Sequence, residues 1–118
     1  MEYDLEERLT KFAENIVELC KKVPKNAITL PIIDQLIRSG TGTGANYTEA
    51  NGASSKKDFK NKIYIAKKEA METKYWLRIV GELDIKDRNT LDDLSREVQE
   101  LNLIFATIIR NGQSNEKN

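Results

Sequence analysis

The sequence contains no histidine and only one cysteine, Cys20. Without histidine, the chain cannot form Ser-His or Cys-His nucleophile pairs, zinc sites that use imidazole, or the Glu-x-x-His motif of di-iron bundles. A single cysteine cannot close an internal disulfide. Because these absences remove many of the common catalytic centres, we expect no enzymatic activity, no cofactor and no small-molecule substrate.

Long apolar runs and an excess of charge of either sign are also missing. The longest apolar stretches, such as residues 103–106, are far too short to span a bilayer, so we expect no membrane association. Lys plus Arg equals Asp plus Glu at 19 each, and any binding to nucleic acid therefore needs a local patch. Residues 1–7 have neither the basic start nor the apolar run of a signal peptide, which predicts a cytoplasmic protein.

The chain does contain four blocks of apolar residues at helical spacing. They predict helices at about residues 4–23, 29–51, 55–83 and 90–111. The predicted N-caps are Thr29, Ser55 and Thr90. Gly112 is the predicted end of the fourth helix. Because short connections favour antiparallel neighbours, we predict an all-α fold, an antiparallel up-down-up-down four-helix bundle of residues 1–112 with a disordered polar tail at 113–118.

Three glycines lie within the second block, at Gly40, Gly42 and Gly44. Each costs about 1 kcal/mol relative to alanine inside a helix, so another interaction must offset them. A phosphate-cradling loop is one alternative, but no strand precedes the segment and no Gly-Lys-Ser/Thr follows it. We therefore predict a helix whose small residues let a neighbouring helix approach closely. These residues are Ser39, Gly40, Thr43 and Gly44.

The third block carries cations along one side. At 100° per residue, five of them fall within roughly 40° of one another. These are Lys56, Lys60, Lys67, Lys74 and Arg78, and beside them lie Tyr64, Lys68 and Tyr75. Cations interleaved with aromatic residues can hold a nucleic-acid backbone and stack a base. The alternative is a solvated edge whose lysines pair with Glu and Asp of adjacent helices.

Glu69 and Glu72 lie one turn apart in the third block, and Arg38 and Glu49 lie in the second. Carboxylates at this spacing inside a bundle can hold two metals, but the histidine partners are missing and an arginine is available. We predict a structural ion pair of Arg38 with Glu69 or Glu72, and no metal site. Cys20 lies on the apolar stripe of the first block, where a buried inert thiol is expected.

Several segments in the middle of the chain form an ordered set of motifs. They are QLIRSGT at 35–41, GANYTEA at 44–50, DF at 58–59, KKEA at 67–70 and ETKYWLR at 72–78. Together these segments resemble the bacterial four-helix bundle family, which is also called the 23S rRNA intervening-sequence protein family and was formerly labelled S23 ribosomal protein. The resemblance covers about residues 12–83 well and the fourth helix by pattern only.

The resemblance implies a four-helix bundle protomer that forms a homo-oligomer, since members of the family look like ring-forming homopentamers. Some members are encoded within insertions in 23S rRNA genes, and a related branch serves as the accessory protein that binds reverse transcriptase and RNA in diversity-generating retroelements. The family offers no catalytic residues to transfer. Apolar residues outside the predicted core stripes also favour self-association. They are Tyr64, Met71, Tyr75, Ile79, Leu103 and Ala106.

The expected function is a non-enzymatic oligomeric scaffold. Its partner is RNA or an RNA-associated protein such as a reverse transcriptase, and the basic face of the third helix is the candidate contact surface. Two alternatives stay open at the level of the sequence. One is a protein–protein interaction module with no nucleic-acid contact, and the other is an enzyme that uses a carboxylate-metal centre at Glu49, Glu69 and Glu72 or the thiol of Cys20.

Overall fold

Four α-helices make up most of the molecule. The computed structural model describes the backbone of residues 4–117 and the side chains of residues 4–112. In chain order the helices are α1 (Leu5–Lys21), α2 (Thr29–Asn51), α3 (Lys56–Val80) and α4 (Arg88–Lys117). The described residues contain no strand, and the predicted all-α fold is confirmed. None of the helices in this part of the chain combines the length and the apolar character needed to cross a membrane.

The helices form a closed antiparallel bundle. Each helix packs against its neighbours in the chain, and α4 also packs against α1. Lys22, just after α1, donates to Asp87, just before α4, at 2.8 Å. Asn51, at the end of α2, donates to Glu6, at the start of α1, at 3.4 Å. Because each pair joins the end of one helix to the start of another, the topology is the predicted up-down-up-down order.

One apolar stripe from each helix fills the core. The largest fully buried side chains include Leu9, Phe12, Ile16, Leu36, Ile63, Leu77, Leu101 and Phe105. Burying one such side chain contributes roughly 1.5–3 kcal/mol. Leu19 of α1 is 1% exposed and belongs to this core as well. The stripes fix which face of each helix points outward, and so they position the surface residues discussed below.

The N-cap of α3 is the predicted one, whereas that of α2 is not. Ser55 accepts a hydrogen bond from the backbone N–H of Asp58 at 3.0 Å. Thr29 was predicted to cap α2 but is the first residue inside the helix. The backbone N–H groups of Ile28 and Thr29 donate instead to Oδ1 of Asn26, at 2.9 and 3.0 Å. The side-chain oxygen of Asn26 thus takes the capping role predicted for the hydroxyl of Thr29, and Asn26 lies three residues earlier in the chain.

Both predicted ends of α4 are wrong. Asp87, and not Thr90, caps the helix, because Oδ1 of Asp87 accepts from the backbone N–H of Thr90 at 3.2 Å. The helix continues through Gly112 to Lys117, so the backbone of the predicted tail is helical as far as it is described. Gly112 does not adopt a positive φ, and no proline follows it. One glycine costs about 1 kcal/mol, which is too little to end a helix by itself.

Candidate nucleic-acid interface

The predicted basic residues of α3 occupy the surface of that helix beside α4. Lys74 Nζ donates to Oε1 of Gln99 in α4 at 2.6 Å. The side chains that are exposed are Lys56, Lys68, Lys74 and Arg78, whereas Lys60 and Lys67 are half-buried. Tyr64 and Tyr75 are 42% and 55% exposed. We call this set of eight residues the basic face: Lys56, Lys60, Tyr64, Lys67, Lys68, Lys74, Tyr75 and Arg78.

Most of the cations in the basic face have no carboxylate partner among the described residues. This holds for Lys56, Lys67, Lys68, Lys74 and Arg78. Lys67 Nζ lies 3.4 Å from the thioether sulfur of Met71, which is a weak acceptor, and Lys74 bonds to a neutral amide. The alternative in which lysines of this surface pair with acids of adjacent helices therefore does not describe these five.

A groove between α3 and α4 borders the basic face. Its volume is about 490 Å³. We call it the α3–α4 groove, and its lining consists of Tyr64, Lys67, Lys68, Met71, Ala106, Ile109 and Arg110. The sequence interpretation missed Ile109 and Arg110 of α4. Ile109 and Arg110 follow Ala106 by three and four residues, and this spacing places all three on one face of the helix. A second stripe on α4, outside its core stripe, could therefore have indicated them from the sequence.

Acidic residues concentrate on another side of the bundle, between α1 and α4. A cavity of about 590 Å³ there is lined in part by Asp4, Glu7, Asp93 and Glu97. Arg8 Nε and Nη2 donate to the two carboxylate oxygens of Glu97 at 2.6 Å each, and these bonds raise the pKa of the Arg8 guanidinium. Part of the acidic charge of the neutral chain thus lies between α1 and α4, away from the basic face of α3.

The carboxylates considered as a metal centre all bond to cations. Arg38 Nη1 donates to both oxygens of Glu69 at 3.0 and 3.2 Å, and Nη2 donates to Glu72. Glu49 accepts from Lys62 at 2.8 Å, and this bond raises the pKa of Lys62. No three metal-ligating side chains come together in the part of the chain that the structure describes. These ion pairs join α2 to α3 and hold α3 in place from the side opposite α4.

The glycine-rich segment is helical throughout and packs against α1. Ser39 and Thr43 are fully buried. A Cβ atom added at Gly40 would lie 3.1 Å from both Cγ1 and Cγ2 of Ile16. A Cβ atom added at Gly44 would lie 3.4 Å from Cβ of Leu9. These distances are shorter than or at the edge of ordinary contact, so small residues permit this helix–helix approach. The segment forms no phosphate-binding loop.

Cys20 is 3% exposed within the core. Burial raises the pKa of its thiol to about 11. At neutral pH the sulfur is therefore protonated, and the nucleophilic thiolate is scarce.

The family model for the 23S rRNA-intervening sequence protein matches residues 2–106. The chain belongs to this family. A crystal structure of a protein with unknown function from the S23 ribosomal protein family, from Bacteroides thetaiotaomicron VPI-5482, is similar to it. The two share 36% sequence identity, the match covers 88% of this chain and 96% of the other, and the TM-score is 0.79. Comparison with curated proteins gives no match.

The region matched by the 23S rRNA-intervening sequence family contains the whole basic face of α3. It ends at residue 106, so that Ile109 and Arg110 of the α3–α4 groove lie beyond it. The α3 wall of the groove therefore falls inside the matched region, and most of the α4 wall falls outside.

Proposed function

We propose that this protein is a non-enzymatic scaffold that binds RNA through the basic face of α3. The observation that carries the proposal is the set of five cations without carboxylate partners among the described residues, beside the exposed rings of Tyr64 and Tyr75. Phosphate groups supply the missing negative charge, and exposed aromatic rings stack with bases.

Overall neutrality does not oppose this proposal, because the positive charge is local. Glu97 and Glu100 of α4 bond to Arg8 of α1, and the carboxylates between α2 and α3 bond to Arg38 and Lys62. Lys67, Lys68 and Lys74, on the other side of α3, form no ion pair with the described residues. A local patch of this kind attracts a polyanion over about one Debye length, roughly 8 Å at physiological salt.

An enzymatic role has less support. Glu49, Glu69 and Glu72 are occupied by cations, and Cys20 is buried with a raised thiol pKa. Neither set presents a nucleophile beside a base to a substrate.

We also propose that the scaffold is a homo-oligomer, specifically a pentamer as the family resemblance implies. Outside the α3–α4 groove, five large apolar side chains of the described residues are exposed. They are Ile28, Leu30, Ile65, Tyr75 and Leu103. Contact with a second copy would bury part of this surface. An oligomer would also repeat the basic face, so that weak contacts to one long RNA reinforce each other.

RNA binding is tested by recovering what copurifies with the protein, with and without nuclease, and by measuring affinity for RNA across salt concentration. A phosphate-binding face predicts affinity that falls steeply with salt. Replacing Lys67, Lys74 and Arg78 with Gln removes three contacts, so the slope of log K against log salt should become shallower by about 2.

The matched control replaces three exposed lysines outside the basic face, Lys11, Lys21 and Lys86, with Gln. This control removes the same net charge, and its slope should stay close to that of the wild type. Equal effects of the two triple variants would show that binding depends on net charge alone. If no RNA is recovered and none binds at low salt, the proposal is wrong and a protein partner becomes the better explanation.

A further inference from the structure

The α3–α4 groove differs from the other surfaces of the bundle in its combination of charge and apolar lining. Three cations, Lys67, Lys68 and Arg110, line it without any carboxylate. The apolar lining of the groove comes from Met71, Ala106 and Ile109. Tyr64, which is 42% exposed, adds an aromatic ring. A ligand that fits must therefore be anionic at one edge and flat and apolar at the other.

We infer that the α3–α4 groove binds a single unpaired nucleotide of an RNA strand, with the base stacked on Tyr64 and the phosphate beside Lys67, Lys68 and Arg110. The inference rests on the proposed RNA binding and assigns it a place and a strand type. Stacking on tyrosine is available only to a base that has left a helix, since paired bases stack on each other inside the duplex.

The size of the groove agrees with a small ligand. At about 490 Å³ it lies within the range of roughly 300–1,000 Å³ that is typical of small-molecule pockets. A duplex is too wide to enter such a groove and would contact only its rim.

The hydrogen bonds of the three cations leave them able to bind a phosphate. Lys67 contacts the sulfur of Met71 at 3.4 Å, and Arg110 Nη2 donates to the hydroxyl of Thr107 at 3.3 Å. Lys68 makes no ion pair with the described residues. A phosphate is a stronger acceptor than a thioether or a hydroxyl, so it would replace these contacts with charge-assisted hydrogen bonds.

The site is tested with a fluorescent twelve-nucleotide uridine strand, a duplex RNA of the same length and a twelve-residue polyglutamate peptide. Affinity for each is measured by anisotropy at low salt. We expect the single strand to bind more tightly than the duplex or the peptide. Replacing Tyr64 with Leu keeps an apolar side chain but removes the ring, and should weaken single-strand binding by about 5- to 150-fold, which corresponds to the loss of one base stack.

Three further variants make this result specific. Tyr64→Phe keeps the ring and should bind like the wild type. Lys11→Gln removes one exposed positive charge outside both the basic face and the groove, and should leave the affinity within about twofold. Arg110→Gln should weaken binding of the strand and make its salt slope shallower by about 0.7. Helical content by circular dichroism verifies that each variant is folded.

The outcomes separate this inference from the proposed function. If duplex and single strand bind equally, or if Tyr64→Leu binds like the wild type while the triple variant of Lys67, Lys74 and Arg78 loses affinity, RNA binding stands and the nucleotide site is wrong. Polyglutamate binding as tightly as the strand would also overturn the site, in favour of an acidic protein segment. If no RNA binds, both the site and the proposed function fail.

Discussion

Gly40 is the residue at which α1 and α2 come so close that an added Cβ would press on Ile16. The sequence predicted close packing here, because glycine in a continuing apolar period needs an offsetting interaction. Ile16 as the neighbour was not predictable. Periodicity identifies the inward face of each helix, but the level at which two inward faces meet depends on connection lengths and on the helix ends, which the sequence pattern located only to within a few residues.

Replacing Gly40 with Leu should lower the free energy of unfolding by about 1–3 kcal/mol, because the added side chain overlaps Ile16. Replacing Ile16 with Ala by itself leaves a cavity and should cost about 2–5 kcal/mol. In the double variant the leucine partly fills that cavity, so the combined loss should be smaller than the sum of the two single losses. Urea denaturation at one protein concentration measures all three values.

Gly42→Ala is the matched control in the same helix. Its Cβ would lie 3.5 Å from the carboxyl carbon of Glu69, an ordinary contact distance, so the gain in helix propensity should leave stability unchanged or raise it by up to about 1 kcal/mol. Strictly additive losses at Gly40 and Ile16 would contradict the proposed overlap between them.

Helix ends show how far local sequence rules reach. Ser55 was predicted as a cap because an acid, Asp58, follows it three residues later as in a capping box, and Ser55 does cap α3. Asn26 was missed although α2 begins at the predicted residue, because the side chain that accepts from its first N–H groups lies three residues before Thr29. Asp87 was missed because α4 begins at Arg88, two residues before the predicted start. A cap is set by a hydrogen bond between a side chain and the backbone, so it can lie a turn before the first residue of the stripe.

Asp87 combines two roles at the start of α4, and pH separates them. The hydrogen bond from Lys22, followed by those from Thr90, lowers the pKa of the Asp87 carboxyl to about 2. A carboxyl with a lowered folded-state pKa stabilises the protein above its unfolded value, near 3.8, and this contribution is lost as the pH falls towards about 2. The ion pair should therefore matter at pH 7 and disappear between about pH 4 and pH 2.

Asp87→Asn removes the charge but keeps an oxygen that can cap the helix, whereas Asp87→Ala removes both. At pH 7 the Tm should fall in the order wild type, Asp87→Asn, Asp87→Ala. Between pH 4 and pH 2 the gap between wild type and Asp87→Asn should close, and the gap between the two variants should persist. Thermal unfolding followed by circular dichroism gives these values. If the difference in Tm between wild type and Asp87→Asn stays constant over this pH range, the ion pair is excluded. If Asp87→Asn and Asp87→Ala have the same Tm, the cap is excluded.

At the scale of the whole molecule, the fold and one wall of the candidate site could be predicted, but the groove could not. The cations of α3 share one side of that helix because they are spaced at helical intervals, and the sequence alone contains this information. Arg110 and Ile109 join them only because α4 passes beside α3 at one particular height. The predicted fourth helix, residues 90–111, already contains both residues, so what the sequence could not supply is the position of α4 against α3.

The oligomeric state is a property of the whole molecule, and it is measured in solution. Two pairs of the exposed apolar side chains serve to test it: Ile28 and Leu30 near the α1–α2 connection form one set, and Tyr75 and Leu103 on α3 and α4 form the other. Light scattering of nuclease-treated protein at micromolar concentration should return a multiple of the chain mass of 13.5 kDa, and for a pentamer five times that mass, about 68 kDa.

Because an apolar interface does not tolerate buried unpaired charge, replacing both residues of the set that forms the interface with Glu should reduce the mass towards that of one chain. The other Glu pair then serves as the control and should leave the mass unchanged. A mass of 13.5 kDa for the wild type would contradict self-association, and an oligomer that survives both Glu pairs would show that neither apolar set forms the interface.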